Sequence, residues 1–327
     1  MTPLESRARR ASSVALALVV ALVAFAAPRV AEACGSCRGP GGAGSALTAP
    51  WQTYGFSIAE TMRLGQGVFD QRSRFRPFKQ DSHDRVIELA FAGAVRPIDS
   101  VELGATTAYG NVLVSGPGFR SSRGALGDLS LRARWEILQE PPLELTGQHR
   151  LPALGVTVTS RLPTGPVDRT TSAGAAGPSP GTVGSTATSQ GLGTTELALS
   201  VDVRKSFASR FQIGAVGEAA WRAPDESIGL RRARAPRGLV CLMGIVFQGD
   251  ATLGLFAGLA AEGDVQYGGR TSPDSGQRSV SLGVSATYKT SLGFRSGLAL
   301  SHQPPIDGLS KNAVAATGLT AFIAFTR

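Results

Sequence analysis

Reactive side chains are sparse in this 327-residue chain, which holds three cysteines and three histidines. Cys34 and Cys37 form a Cys-Gly-Ser-Cys pair on a glycine-rich segment. Such a pair can close a small disulfide loop, remain as two accessible thiols, exchange redox equivalents or give a metal two ligands. No histidine follows Cys37, so the pair is not a haem attachment site. Cys241 stands in an apolar run, where a thiol behaves as a small hydrophobe. Gly39 to Gly44 spell Gly-x-Gly-x-x-Gly, but the strand before and helix after that a dinucleotide site needs are missing, and the segment reads as a flexible linker. A hydrolytic centre would need His83, His149 or His302 to meet a serine such as Ser82 or Ser301, with an orienting partner. No motif supports one. The sequence therefore predicts no enzyme and no cofactor, with Cys34 and Cys37 the only metal candidates.

The charged residues are more informative. Leu129, Leu131, Ala133, Trp135 and Ile137 alternate with Ser130, Arg132, Arg134 and Glu136. A strand sends successive side chains to opposite faces, so one face is hydrocarbon and the other carries three charges. The same division recurs in Leu197, Leu199, Val201 and Val203 against Glu196, Ser200, Asp202 and Arg204. It recurs again in Phe211, Ile213, Ala215 and Trp221 against Gln212, Glu218 and Arg222. Val280, Leu282, Val284 and Tyr288 likewise oppose Ser281, Ser285 and Lys289. Two segments, 239–248 and 251–262, are apolar on both faces, as an interior patch facing a plug or an apolar solute would be.

The elements that carry these faces are strands. Twelve period-two segments are predicted at about 53–64, 85–95, 101–112, 126–138, 153–162, 194–205, 211–221, 239–248, 251–262, 279–290, 292–301 and 314–325. Their connections alternate long and short: RPIDS, SFASR, QGD and the Thr290-Ser291 turn against long Gly- and Arg-rich stretches. QEPPLELTGQHRLP is a long connection on the expected short side. A soluble sandwich has no reason to sort loops by parity, whereas an up-and-down membrane barrel has short periplasmic turns and long external loops. In lipid the sheet must close, because every backbone amide has to pair within the protein. The predicted fold is therefore all-β, a closed antiparallel up-and-down transmembrane β-barrel of about twelve strands, within roughly 10–14.

The N-terminus agrees with that location. Arg7, Arg9 and Arg10 precede an apolar run from Val14 to Ala27, and Ala31-Glu32-Ala33 forms a cleavage box, the pattern of an export signal. The expected organisation is a cleaved signal at 1–33, a Gly-rich periplasmic leader with Cys34 and Cys37 at 34–52, and an outer-membrane barrel at 53–327. A cysteine at the new N-terminus also raises lipidation, although Ala31 and Glu32 fit a lipobox poorly. Removing four arginines and two glutamates with the signal lowers the net charge from +9 to +7. Outside the cytoplasm this excludes nucleic acid as a partner class and favours phosphate-bearing lipid headgroups.

Three stretches carry a family resemblance: GALGDLSLRARWEI, VTVTSRLPTGPVD and GLGTTELALSVDVRKSF. In this order they resemble the outer-membrane proteins named for the meta-pathway of phenol degradation. The motif residues are Leu126-Gly127-Asp128 and Leu162-Pro163-Thr164-Gly165, and the resemblance covers about residues 124–221. It implies an outer-membrane barrel often described as a channel or transporter for small, sometimes aromatic, molecules. The motifs are turn and strand chemistry, so they identify no permeant.

With the barrel as frame, Glu88, Glu102, Arg132, Arg134, Glu136, Arg161, Glu196, Asp202, Arg204, Glu218 and Arg295 are expected to point inward. Arg132, Arg134, Glu136, Arg161, Glu196, Asp202, Arg204 and Glu218 are the candidates for permeant selectivity, against the plainer reading of a salt-bridged lumen. Arg231, Arg232, Arg234 and Arg237 form an expected external basic loop, either solvated and held by Asp225 and Glu226 or set against lipopolysaccharide or an anionic permeant. The last strand, ending near Phe325, resembles the C-terminal signal that barrel assembly machinery reads. Three functions follow: a passive channel, a non-conducting barrel plugged by its leader that binds the envelope, and a lipid hydrolase.

Overall fold

The computed structural model describes residues 52–79, 82–116, 119–139, 151–166, 194–207, 210–224, 232–234, 236–290 and 293–327. The expected leader with Cys34 and Cys37 and the expected export signal lie outside these residues. Twelve strands form the wall. They are β1 (Tyr54–Phe69), β2 (His83–Ile98), β3 (Val101–Gly116), β4 (Phe119–Leu126, resuming as Leu129–Leu138), β5 (Ala153–Leu162) and β6 (Glu196–Phe207). They continue as β7 (Phe211–Arg222), β8 (Arg237–Gln248), β9 (Ala251–Glu262), β10 (Gln277–Lys289), β11 (Phe294–His302) and β12 (Val314–Thr326).

Each strand pairs antiparallel with its neighbours in sequence, and β12 pairs with β1 from Gly55 opposite Thr326 to Val68 opposite Val314. The wall is thereby closed, as lipid requires, while Phe119–Leu126 at the loop end of β4 pairs with β3 alone among the described residues. The observed strands follow the predicted segments closely. Where they are longer, the largest extensions are at the end with the long loops, where β1 runs on to Phe69 and β4 begins at Phe119, while β2 and β6 also run on to Ile98 and Phe207 at the other end.

Short turns and both described chain termini gather at one end of the barrel, here the short-turn end. Asp99–Ser100, Gly249–Asp250 and the segment before Phe294 turn the chain there, with Gly249 at φ 61° and Gly293 at φ 81°. Such left-handed backbones favour glycine because no Cβ collides. The QEPPLELTGQHRLP connection is at this end too, and most of it lies outside the described residues. At the opposite, loop end, Arg232–Arg234, Val265–Tyr267 and Arg270–Thr271 form a three-stranded extension.

The outer wall is apolar and open: Leu255 is 64% exposed, Ile323 61% and Trp135 56%. A soluble protein rarely leaves so much contiguous hydrocarbon uncovered, and a bilayer covers it. Tyr54, Phe294 and Phe325 cluster on the outer face at the short-turn end, with ring centroids 6.2 Å apart for Tyr54–Phe325 and 5.0 Å for Phe294–Phe325. Phe207 and Phe211 flank the β6–β7 turn at 6.3 Å. This is the aromatic girdle of a membrane interface. One carboxylate interrupts the band: Glu60 is exposed between Ile58 and Met62, opposite Leu89 of β2 and Ala321 of β12.

Candidate functional site: the barrel lumen

Period-two alternation sends the charged face of β2 to β7 inward, and register decides which charges meet. Near the short-turn end seven side chains form one network. Glu102, fully buried, accepts a hydrogen bond from Arg132 Nη2 at 3.0 Å and lies 3.6 Å from Arg96 Nη2. Arg96 also donates to Glu136 Oε2 at 3.1 Å. Glu136 Oε1 accepts from Arg134 at 2.7 Å and from Arg204 at 2.9 Å. Arg134 holds Asp202 through two bonds, at 3.2 and 3.0 Å, the forked geometry that guanidinium offers a carboxylate. Four guanidiniums face three carboxylates, a formal excess of one positive charge.

Glycines make room for these long side chains. A Cβ on Gly104 would lie 2.6 Å from Arg132 Nε, and one on Gly155 would lie 2.5 Å from Arg134 Nη2 and 2.6 Å from Asp202 Oδ1. The two glycines are directly opposite Arg132 and Glu136 in the β3–β4 and β4–β5 ladders. The arginines therefore lie flat along the wall rather than crossing the lumen.

A second network stands at the loop end, on β6 to β9. Arg222 donates to Glu196 Oε2 at 2.5 Å and to both oxygens of Glu262 at 3.0 Å. Arg237 donates to Glu196 at 3.2 Å and to Glu218 at 2.9 Å. Arg237 thus corrects the expectation that it belongs to the external loop: it opens β8, points inward and closes an ion-pair cluster. Of its expected companions, Arg232 and Arg234 are in the loop-end extension, and Arg231 is outside the described residues.

The two motifs that carried the family resemblance meet in space. Asp128, in the break of β4, accepts from Gly165 N at 3.0 Å and from Arg161 Nε at 3.2 Å. Thr164 Oγ1 accepts from Leu129 N at 2.8 Å. Leu-Gly-Asp and Leu-Pro-Thr-Gly are therefore two halves of one staple that fixes β4 against β5. Arg161 is consumed by that staple on the inner wall.

The other half of the lumen is different. Cys241, Met243, Ile245 and Phe247 of β8 are buried and point inward, with Val216 packed on them. Phe256 of β9 faces Gly283 of β10 in the ladder, and Phe322 of β12 faces Gly297 of β11, where a Cβ would come within 2.6 Å of the ring. Ser281, Ser285 and Thr287 of β10 complete this wall. Among the described residues, the inner faces of β8 to β12 carry charge only at their ends: Arg237, Glu262, Lys289 and Arg295. The lumen is amphipathic around its circumference, charged over β2 to β7 and apolar or hydroxylic over β8 to β12.

The inward direction of Glu88, Arg161, Glu218 and Arg295 follows from their registers with Thr61, Glu196, Leu239 and Lys289. Beyond the residues expected from the sequence, the inner wall also carries Arg63, Arg96 and Asp128, and Arg222 and Glu262 join its ion pairs. Arg96 precedes Pro97 and looks like the start of a loop, whereas Arg222 and Glu262 end their strands, Arg222 on a polar face and Glu262 at the close of an apolar segment, with no partner visible in the sequence. Ser301 accompanies the inward residues of β11, whereas His302 bonds Thr317 through Nδ1 at 2.9 Å on the other face. The two do not form a catalytic pair. No group of three or more His, Cys, Asp or Glu able to hold a metal occurs among the described residues.

No family model matches the chain and no curated protein does. The fold has solved counterparts. An outer membrane channel from Pseudomonas putida F1 aligns with a TM-score of 0.66 at 16% identity, covering 90% of this chain and 100% of that one. The NanC porin aligns at a TM-score of 0.46 and 7% identity, covering 83% and 98%. A mutant of TodX, a monoaromatic hydrocarbon channel, aligns at 0.42 and 8%, covering 84% and 90%. The first likeness establishes the outer-membrane barrel fold; the other two are too distant to add to it.

Proposed function

We propose that this chain is an outer-membrane channel for the passive passage of small solutes with an apolar, including aromatic, part. The observation that carries the reading is the split lumen: an apolar strip from Cys241 to Phe247 with Phe256 and Phe322, beside a wall of paired charges. Apolar surface favours a hydrocarbon body at about 25 cal/mol per Å² removed from water, and a neutralised wall of donors and acceptors accommodates its polar groups. In this reading the short-turn end is periplasmic and the loop end external. The leader at 34–52 precedes β1 on the periplasmic side. The inward charges set selectivity, lipopolysaccharide surrounds the loops, and the assembly machinery reads the strand that ends in Phe325. No cofactor and no covalent step is required.

Liposome swelling tests this reading with two membrane-impermeant zwitterions, phenylalanine and glutamine. Phenylalanine enters faster than its size predicts, and Ile245→Ser with Phe256→Ser removes the advantage. Entry ranked by size alone, unchanged by the pair, refutes the apolar strip as the path. A second reading, a barrel closed by its own leader, is favoured by the depth at which the inner network is buried, with Glu102 at 0% exposure. Deleting residues 34–50 distinguishes the two: conductance that appears only on deletion supports the plug.

A further inference from the structure

Three connections at the loop end are tied into one rigid rim. Asp70 Oδ1 accepts from the amides of Arg72 and Arg74 at 2.9 and 3.0 Å, which folds the β1–β2 connection back on itself. Asp307, in the β11–β12 connection, accepts from Phe75 N at 2.6 Å, and Gly308 N donates to Ser73 O at 2.8 Å. The β9–β10 connection joins through Asn312, whose Nδ2 donates to Asp274 O at 2.7 Å and Gly276 O at 2.8 Å. Ser73, Asp274 and Asn312 have φ of 60°, 61° and 47°; they are the non-glycine residues with positive φ among those described, and all three are in this rim. Such backbones persist where surrounding contacts over-determine them, and they concentrate at ligand clamps.

Between these connections is a recess of about 450 Å³ lined by Arg72, Ser73, Glu262, Gln277, Arg278 and Lys311, among others. Its charge is unbalanced. Glu262, the carboxylate among these six residues, is already engaged on both oxygens by Arg222. Lys311 is 3.1 Å from Asp274, a carboxylate on the rim, and Arg278 Nη2 donates to Gly308 O. Among the described residues the Arg72 guanidinium has no side-chain partner. Guanidinium and ammonium groups around a concave, rigid surface focus potential on an oxyanion, and the Ser73 hydroxyl and Gln277 amide add neutral donors.

We propose that this recess binds an oxyanion head group, a carboxylate or phosphate, at the loop-end mouth. It rests on the channel reading for its most direct consequence: the permeant is an amphipathic organic anion, held by its head here and by its body on the apolar strip. The same chemistry is carried by the phosphates of lipopolysaccharide, so two sources are distinguished in the test.

The test uses the folded full-length protein in detergent, with binding of benzoate, inorganic phosphate and neutral benzyl alcohol followed by saturation-transfer NMR and calorimetry. Benzoate binds more tightly than benzyl alcohol and weakens with added salt, and Arg72→Gln with Arg278→Gln lowers its affinity at least about tenfold, the equivalent of one charge-assisted bond. Both arginines are exposed, and heat-modifiable gel mobility verifies that the variant is folded. Equal binding of benzoate and benzyl alcohol, or binding that survives the double substitution, overturns the proposal. Binding of lipopolysaccharide vesicles by the native protein alone, without benzoate binding, keeps the site and assigns it to the lipid. A barrel that conducts yet binds none of these probes overturns the recess alone, and one that binds benzoate but never conducts overturns the channel.

Discussion

Replacing Glu102 by leucine probes the inner network at its most buried point. The carboxylate is at 0% exposure and holds Arg132 at 3.0 Å and Arg96 at 3.6 Å. Truncating one partner of a buried ion pair costs about 3–5 kcal/mol, because the remaining charge is left uncompensated. Arg96 keeps Glu136 at 3.1 Å, so about half of the loss is recovered there and the expected cost is about 1.5–2.5 kcal/mol. Glu102→Gln retains volume and hydrogen bonding and costs about 1 kcal/mol. The excess of positive charge in the network rises from one to two in both variants, so a conducting barrel shifts toward anions. Urea unfolding in micelles measures the first quantity and reversal potential the second. A cost below about 0.5 kcal/mol for Glu102→Leu, the level of an exposed pair, would refute the claim that this network is shielded from solvent.

Asp128→Ala removes the carboxylate that joins Gly165 and Arg161. It is expected to destabilise the barrel by about 2–4 kcal/mol and to raise amide exchange at both the β4 break and the end of β5. Glu60→Leu runs the other way: placing hydrocarbon at a mid-band, lipid-facing position stabilises the barrel by about 1–2 kcal/mol, and a destabilised variant would mean that Glu60 has a partner in the membrane. In the rim, hydrogen bonds from the amide of Arg74, then of Arg72, and the Arg76 side chain hold the Asp70 carboxyl below its ordinary range. A depressed value stabilises the folded loop above the unfolded carboxylate range, and this is lost as pH falls through the folded value. Acid therefore speeds proteolysis of the 70–82 connection, whereas Asp70→Asn shows fast proteolysis at every pH; equal acid sensitivity in both proteins would exclude Asp70.

The wall was legible because alternation survives wherever one strand face meets lipid. Beyond that band the apolar-polar alternation fades in FRSSRGAL and at the top of β1, so the strands looked shorter than they are. Inward direction was equally legible from parity. Pairing was not, because it depends on register between strands distant in sequence: Arg134 and Asp202 meet across 68 residues, and Gly155 admits them by lacking a side chain. Arg237 was placed in a loop because it follows an arginine- and proline-rich stretch, although it belongs to the β8 ladder opposite Ala220 and Glu262. The rim recess had no sequence signature at all. It is assembled from three connections whose mutual bonds run mainly through backbone groups.

An aqueous path along the split lumen is open to single-channel recording. The protein is inserted from detergent into a planar bilayer, and Arg132→Glu with Arg134→Glu serves as the selectivity variant. Discrete conductance steps are expected, with the double substitution moving the reversal potential toward cations by replacing two positive charges with two negative ones on the inner wall. Silence from a demonstrably folded barrel, with or without residues 34–50, would contradict it, and steps whose selectivity ignores the double substitution would remove these charges from the path.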